Sequence, residues 1–331
     1  MIRRLAVFLS IFALLATVAC DKSETTAESK AGASDQAATQ ETAGPADEAD
    51  QPAAAEAPED AEQAQAEIEK SLLWRVNTKH GPVYLFGTVH GGIDAGWETF
   101  PADVREALEQ SELVVLEADI ANAGAQAMKL RDKMVYTGDK TLESELGEDD
   151  FARLADQLGK PEIMIQRMRP WVVYSELVRA WLPPGKAVDE MVQSKGEALG
   201  KDFAFIETIP EQVEILSEAV TVEVLRDTVR RADEMKEGQD ELIDAYLAGD
   251  AQTIETETFD ETEMERFPEL YAALFDRRNE AWMSDIEGYI ERGHVFVAVG
   301  VGHLVGDDSI VARLDKRGYD VVRTAEAAKS E

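Results

Sequence analysis

Two short apolar runs, each closed by the same four-residue frame, stand out in the hydrophobic pattern of this chain. Val83–Phe86 leads into Gly87-Thr88-Val89-His90, and Val295–Val299 leads into Gly300-Val301-Gly302-His303. An unbroken apolar run of this length predicts a strand buried on both faces. The glycine predicts a sharp turn as the chain leaves the strand. The histidine then stands at the strand's carboxyl end, where open α/β sheets bind ligands. The chain has 4 histidines, and two of them share this frame although they lie 213 residues apart. The segment between them is expected to fold so as to bring them together.

The remaining pattern supports that expectation. Leu72–Asn77 reads as a strand that forms a hairpin with the run ending at Gly87, across a turn at Thr78–Pro82. Leu113–Glu117 and Asp202–Glu207 are apolar runs that each end in a carboxylate, and Tyr319–Arg323 is a last strand. Helices are predicted from Pro101 to Gln110 with Thr99 as its cap, then at Ala127–Tyr136, Asp149–Leu158, Pro170–Leu182, Ala187–Leu199 and Pro210–Ala219. Val220–Glu234, Asp240–Leu247, Phe267–Phe275, Arg277–Glu291 and Ser309–Lys316 complete the set. Trp171, Tyr174, Leu177, Val178 and Trp181 recur at helical spacing and read as core. Six strands alternating with helices predict an α/β fold: a central, mainly parallel or mixed sheet with long helical insertions.

Composition divides the chain into three parts. Arg3 and Arg4 precede an apolar run from Leu5 to Ala19 that is shorter than the roughly 20 residues of a membrane-spanning helix, so residues 1–20 read as a signal peptide. Thr17-Val18-Ala19-Cys20 resembles a bacterial lipoprotein signal, with Cys20 as the lipidated residue; an ordinary secretory peptide is the alternative. Asp21 would then favour retention in the inner membrane. Cys20 is the only cysteine, so no internal disulfide or cysteine-based zinc site can form. Residues 21–70 hold 14 acidic residues against 3 lysines, with Ile68 as their one large apolar side chain. Such a segment buries too little to offset its ordering entropy and reads as an extended tether. Residues 71–331 are the folded body.

The formal net charge is −34. Setting aside the two arginines of the leader and the net −11 of the tether leaves −25 on the body. A surface of that sign excludes nucleic acid or an anionic membrane face as a partner. The membrane is therefore expected to be reached through a lipid anchor only, and the body is expected to face the periplasm.

Within the body, His90, His303 and Glu117 form the strongest candidate site. Two imidazoles and a carboxylate are a common ligand set for hydrolytic metal ions. A divalent ion would balance the buried carboxylate and activate a bound water. A metal-free arrangement, with Glu117 as base and a histidine as acid, remains open. Arg278 and Asn279 read either as surface groups or as an oxyanion and positioning pair. Glu207 and Asp189 read either as orienting carboxylates or as charges at helix N-termini. His80, in a turn, and His294, opening a strand, read as bystanders.

With these residues in place, the chain resembles the TraB/PrgY/GumN family, which includes the TIKI proteases. The matching residues are Leu73-Trp74-Arg75-Val76, Gly87-Thr88-Val89-His90, Val114-Val115-Leu116-Glu117, Ile206-Glu207-Thr208 with Glu211-Gln212, Arg278-Asn279, and Gly300 through Asp308. The resemblance implies a fold related to erythromycin esterase and ChaN-like proteins. It also implies metal-dependent proteolysis with Mn²⁺ or Co²⁺, requiring His90, His303 and Glu117 and supported by Arg278 and Asn279. The expected function is a metallohydrolase acting on peptides. The alternatives are a peptide- or ligand-binding protein of the iron or haem type, and a metal-free His/Glu esterase.

Overall fold

The computed structural model describes residues 67–119, 122 and 130–327. Residues 1–66, which include Cys20, and the first three residues of the helix expected at Ala127–Tyr136 lie outside the described residues. Six strands form one sheet: β1 (Leu73–Val76), β2 (Val83–Thr88), β3 (Leu113–Leu116), β4 (Asp202–Phe205), β5 (Val295–Gly300) and β6 (Val321–Arg323). Their spatial order is β4-β3-β5-β2-β1-β6. β1 pairs antiparallel with both β2 and β6, while β2–β5, β5–β3 and β3–β4 are all parallel. Five strands therefore run one way and only β1 opposes them.

β5 lies at the centre of the parallel block because its sequence permits nothing else. Val295, Phe296, Val297, Ala298 and Val299 are all fully buried, and covering each of the larger side chains contributes about 1.5–3 kcal/mol. β2 pairs with β5 residue for residue, Val83 with Val295 through Thr88 with Gly300. The two Gly-x-x-His frames thus leave neighbouring strands at the same edge of the sheet. β3 and β4 deliver Glu117 and Glu207 to that edge as well.

The principal helices are α1 (Ala102–Gln110), α2 (Glu148–Leu158), α3 (Pro170–Trp181), α4 (Val188–Ala198), α5 (Ile209–Ala219), α6 (Val222–Arg230), α7 (Ala232–Ala248), α8 (Ala251–Thr258), α9 (Arg277–Arg292) and α10 (Ile310–Lys316). They supply two apolar clusters. One packs on the sheet; the other is built from α2, α3, α5, α6 and the segment before α9, around Trp171, Tyr174 and Phe151. Among the described residues no helix is long and apolar enough to cross a membrane. Ile68 is buried and Glu69 N–H donates to Leu247 O at 2.8 Å, so the end of the tether is packed against the body.

Several element expectations change. Thr99 does not cap α1: its hydroxyl donates to Gly96 O and closes the short turn Trp97–Thr99, and Pro101 holds the cap position. The stretch expected as one helix from Val220 to Glu234 breaks at Arg231, where φ −113° and ψ 24° end α6 and α7 begins at once. Within the described part of Ala127–Tyr136, only Arg131–Met134 is helical, and Val135 bridges to Met168. Phe267–Phe275 is a short helix, Pro268–Tyr271, followed by a π-helical turn, Ala272–Asp276, that runs straight into α9. Such turns often re-aim side chains at functional sites, and the residues that follow this one are Arg277, Arg278 and Asn279.

Candidate active site

Four side chains expected from the sequence meet at the carboxyl edge of the sheet. The meeting point is Gly300. A Cβ placed there would lie 3.3 Å from Glu117 Oε1, 3.4 Å from His90 Nε2 and 3.6 Å from His303 Cδ2. The first glycine of each frame therefore serves close approach rather than a left-handed turn. Gly300 has φ −49°, and at Gly87 a Cβ would stand 2.8 Å from Val301 Cγ2.

Glu117 is buried at the end of β3 and fully engaged. Oε1 accepts from Gly300 N–H at 2.7 Å and Oε2 accepts from Arg278 Nη2 at 2.6 Å, with Gln212 Nε2 at 3.4 Å. Burial alone would raise its pKa. The Arg278 charge, the two histidines and the Gly300 N–H outweigh it and hold the carboxyl down at about 2. Glu117 is thus an anion at any physiological pH.

His303 sits on the short turn Val301–His303, between the rings of Trp282 and Phe275, with centroids at 4.5 and 5.3 Å. Its Nδ1 is 2.6 Å from Asn279 Oδ1, while Asn279 Nδ2 donates to Asp308 O at 3.0 Å. That second bond fixes the amide, so Nδ1 carries the proton and Nε2 carries the lone pair. Burial and the nearby Arg278 charge push the His303 pKa down to about 3, which keeps the ring neutral. Nε2 accepts from Arg278 Nη1 at 3.1 Å and lies 3.9 Å from Glu117 Oε1.

His90 follows β2. Its Nδ1 is 2.7 Å from Asp189 Oδ2, and Thr88 Oγ1 donates to Asp189 Oδ1 at 2.5 Å. Asp189 lies in the first turn of α4, and Val188 N–H donates to Val89 O at 2.8 Å, which ties that turn to the His90 loop. Burial opposes a charge on His90, but the Asp189 carboxylate prevails and raises its pKa. The sequence left Asp189 open between two roles; the structure makes it the group that orients His90. Arg278 is buried and held by Glu207, through Nε at 2.9 Å and Nη2 at 2.8 Å. Trp282 donates its indole N–H to the same carboxylate at 2.8 Å and presents its ring to the guanidinium at 4.6 Å. Gln212 belonged to the family resemblance without a role, and Trp282 was not expected here, although it is four residues from Arg278 on one helix and so shares its face. Beside this group opens a cleft of about 750 Å³ lined by Glu207, Arg278, Trp282, Ile206, Ile215 and Asp285 among others. His80 and His294 lie outside the cluster.

The donors suit a divalent ion in kind and orientation. Both imidazoles are fixed through Nδ1 by an acceptor, as metal-ligating histidines usually are, and the Gly300 cradle leaves space between His90 Nε2 and Glu117 Oε1. They do not yet form a closed set. Among the described residues, no three His, Cys, Asp or Glu side chains stand together as ready ligands, and Arg278 takes the single lone pair of His303 Nε2.

A mixed α/β sheet with a histidine–glutamate–arginine cluster at its carboxyl edge defines the class. The chain belongs to the TraB/PrgY/gumN family, whose profile matches residues 72–323. It is 22% identical over 317 residues to Metalloprotease TIKI1 of Xenopus tropicalis, covering 77% of this chain and 61% of that protein. Human Metalloprotease TIKI1 is 22% identical, covering 78% and 62%, and Metalloprotease TIKI2 of Danio rerio is 24% identical, covering 77% and 61%. The chain thus spans about three-fifths of the length of these curated relatives. No solved structure matches it significantly.

Proposed function

We propose that this protein is a hydrolase that cleaves peptides at the cluster around Gly300, with a divalent ion, Mn²⁺ or Co²⁺, as its cofactor. The observation that carries the reading is the convergence of His90 Nε2 and Glu117 Oε1 within 3.4 Å of one point, with His303 beside them. The names of the TIKI relatives support the same chemistry. His90, His303 and Glu117 would hold the ion, which when bound lowers the pKa of a water and polarises a carbonyl. The protein's own groups do the rest. Asp189 and Asn279 keep both Nε2 atoms turned inward. Arg278, anchored by the Glu207 carboxylate, supplies a positive charge beside the cluster for a developing oxyanion. The cleft beside Trp282 would receive the substrate chain. We further propose that the body faces the periplasm from a lipid anchor on Cys20 and that neither nucleic acid nor a membrane face is its partner.

The test is cleavage of a peptide library by the purified full chain, with chelator and with Mn²⁺ or Co²⁺ restored, alongside His90→Ala and His303→Ala. Cleavage that needs the ion and both histidines is the expected result. A specific observation favours a second reading: Arg278 already neutralises Glu117, and His90 with Asp189 forms a ready acid pair. Ester or peptide hydrolysis unaffected by chelator would favour that metal-free site. A folded protein that retains peptides without turning them over would make it a binding protein.

A further inference from the structure

Arg278 stands on the ground that a divalent ion would need. Its Nη1 takes the Nε2 lone pair of His303 at 3.1 Å and its Nη2 takes Glu117 Oε2 at 2.6 Å. The tautomer of His303 is set by Asn279, so Nε2 has one lone pair and cannot serve arginine and metal together. The local charge supports a second cation. Glu117, Glu207 and Asp189 bring three negative charges into the cluster and Arg278 returns one. With both imidazoles neutral, as ligation requires, two remain, which one divalent ion balances.

The surroundings allow the guanidinium to move. Glu207 grips Nε at 2.9 and 3.2 Å, independently of Nη1. The Trp282 ring offers a face alongside, and the 750 Å³ cleft, with Glu211, Glu218 and Asp285 in its wall, opens on the same side. We propose that Arg278 is a displaceable internal cation. In the metal-free protein it bridges Glu117 and His303. When a divalent ion enters, it leaves His303 Nε2 and turns toward the acidic cleft, with Glu207 holding its Nε as a pivot. This inference rests on the metal-dependent reading of the site.

The experiment measures Mn²⁺ affinity of the full chain, from the electron paramagnetic resonance signal of free Mn²⁺, with folding checked by circular dichroism. Arg278→Gln is compared with Arg278→Gln/Glu207→Gln, which leaves the net charge of the cluster unchanged. The expected result is Mn²⁺ binding tighter by roughly tenfold or more in the single variant, where a competing charge is gone. Tightening should persist in the double variant, where His303 Nε2 and Glu117 Oε2 have been freed with no change in net charge. Loss of binding in His303→Ala completes the pattern. Should the single variant not fold, the double variant and a wild-type measurement decide. In the wild type the Arg278 Nε–H resonance should shift on saturation with Zn²⁺. An unshifted resonance in protein that has bound Zn²⁺, or variants that bind Mn²⁺ no more tightly than wild type, would overturn the displacement and leave the metal site standing. A gain confined to the single variant would reduce the effect to overall charge and overturn it as well. No binding by any folded form would sink the metal site and the displacement together.

Discussion

Asp189 Oδ2 lies 2.7 Å from His90 Nδ1, and Thr88 holds the other carboxylate oxygen at 2.5 Å. Two of the three partners belong to the β2 exit and the third to the start of α4, so His90 is aimed by an element 99 residues away. Partners of this kind are typically worth about 10–100-fold in metal affinity or activity. Asp189→Asn should therefore keep its fold and lose hydrolysis by about that factor. The His90 pKa should fall, because the carboxylate is what raises it against burial. Activity measured beside an NMR titration of His90 in metal-free protein checks both. Unchanged activity with a lowered pKa would remove Asp189 from the site.

The strand ends were legible because burial writes itself into sequence. An uninterrupted run such as Val295–Val299 has no reading other than a central strand, and a polar residue at its end has to be explained by the site it enters. Glu117, His90 and His303 were found in that way, whereas Arg278 and Asn279 lie at the start of a helix and were left open between a surface and a site role. Asp189 was not resolved, because a carboxylate in the first turn of a helix is stabilised there with or without a histidine opposite. Trp282 reads as core from spacing alone, and it is core; its indole N–H on Glu207 is a tertiary fact. The break at Arg231 has no glycine or proline to announce it. At the break the Arg231 guanidinium meets Asp227, Glu234 and Glu263, contacts that depend on the tertiary fold.

Glu117 and Arg278 form an ion pair in which both side chains are nearly closed to solvent. Removing one partner of such a pair strands the other without water, at a cost of about 3–5 kcal/mol. Glu117→Ala should lose stability on that scale, read as a lower urea midpoint. Glu117→Gln fills the same space and keeps an acceptor for one of Arg278 and Gly300 N–H, so it should lose less, while hydrolysis disappears in both. Equal stability of Glu117→Ala and wild type would mean that the pair is not closed in solution.

Acid should unfold the metal-free protein in two identifiable steps. His303 is held down at about 3 against a usual 6.5, so the unfolded chain binds more protons below 6.5 and stability falls as pH drops toward 3. Glu117 is held at about 2 against a usual 4.5, so its contribution is complete above 4.5 and is lost as pH falls through about 2. In chelator, the unfolding free energy should decline from near neutrality downward. His303→Gln should flatten the upper part of that slope and Glu117→Gln the lower part. Parallel pH curves for all three proteins would count against both assignments.

The two frame glycines should fail differently when given a methyl group. At Gly87 the added Cβ meets Val301 Cγ2 at 2.8 Å and the Val301 backbone Cα at 3.2 Å. A packed strand-end turn has little freedom to retreat, so Gly87→Ala should cost about 1–3 kcal/mol through overpacking. At Gly300 the backbone, at φ −49° and ψ 132°, suits alanine. There the new Cβ meets only side-chain tips, Glu117 Oε1 at 3.3 Å and His90 Nε2 at 3.4 Å. The fold can yield at those tips, but the space between the donors is filled. Gly300→Ala should stay within about 1 kcal/mol of wild-type stability and lose most divalent-ion binding and hydrolysis. Thermal unfolding and Mn²⁺ binding on the same two variants separate the outcomes. Full activity in Gly300→Ala would place the reacting atoms somewhere other than the cradle between His90 and Glu117.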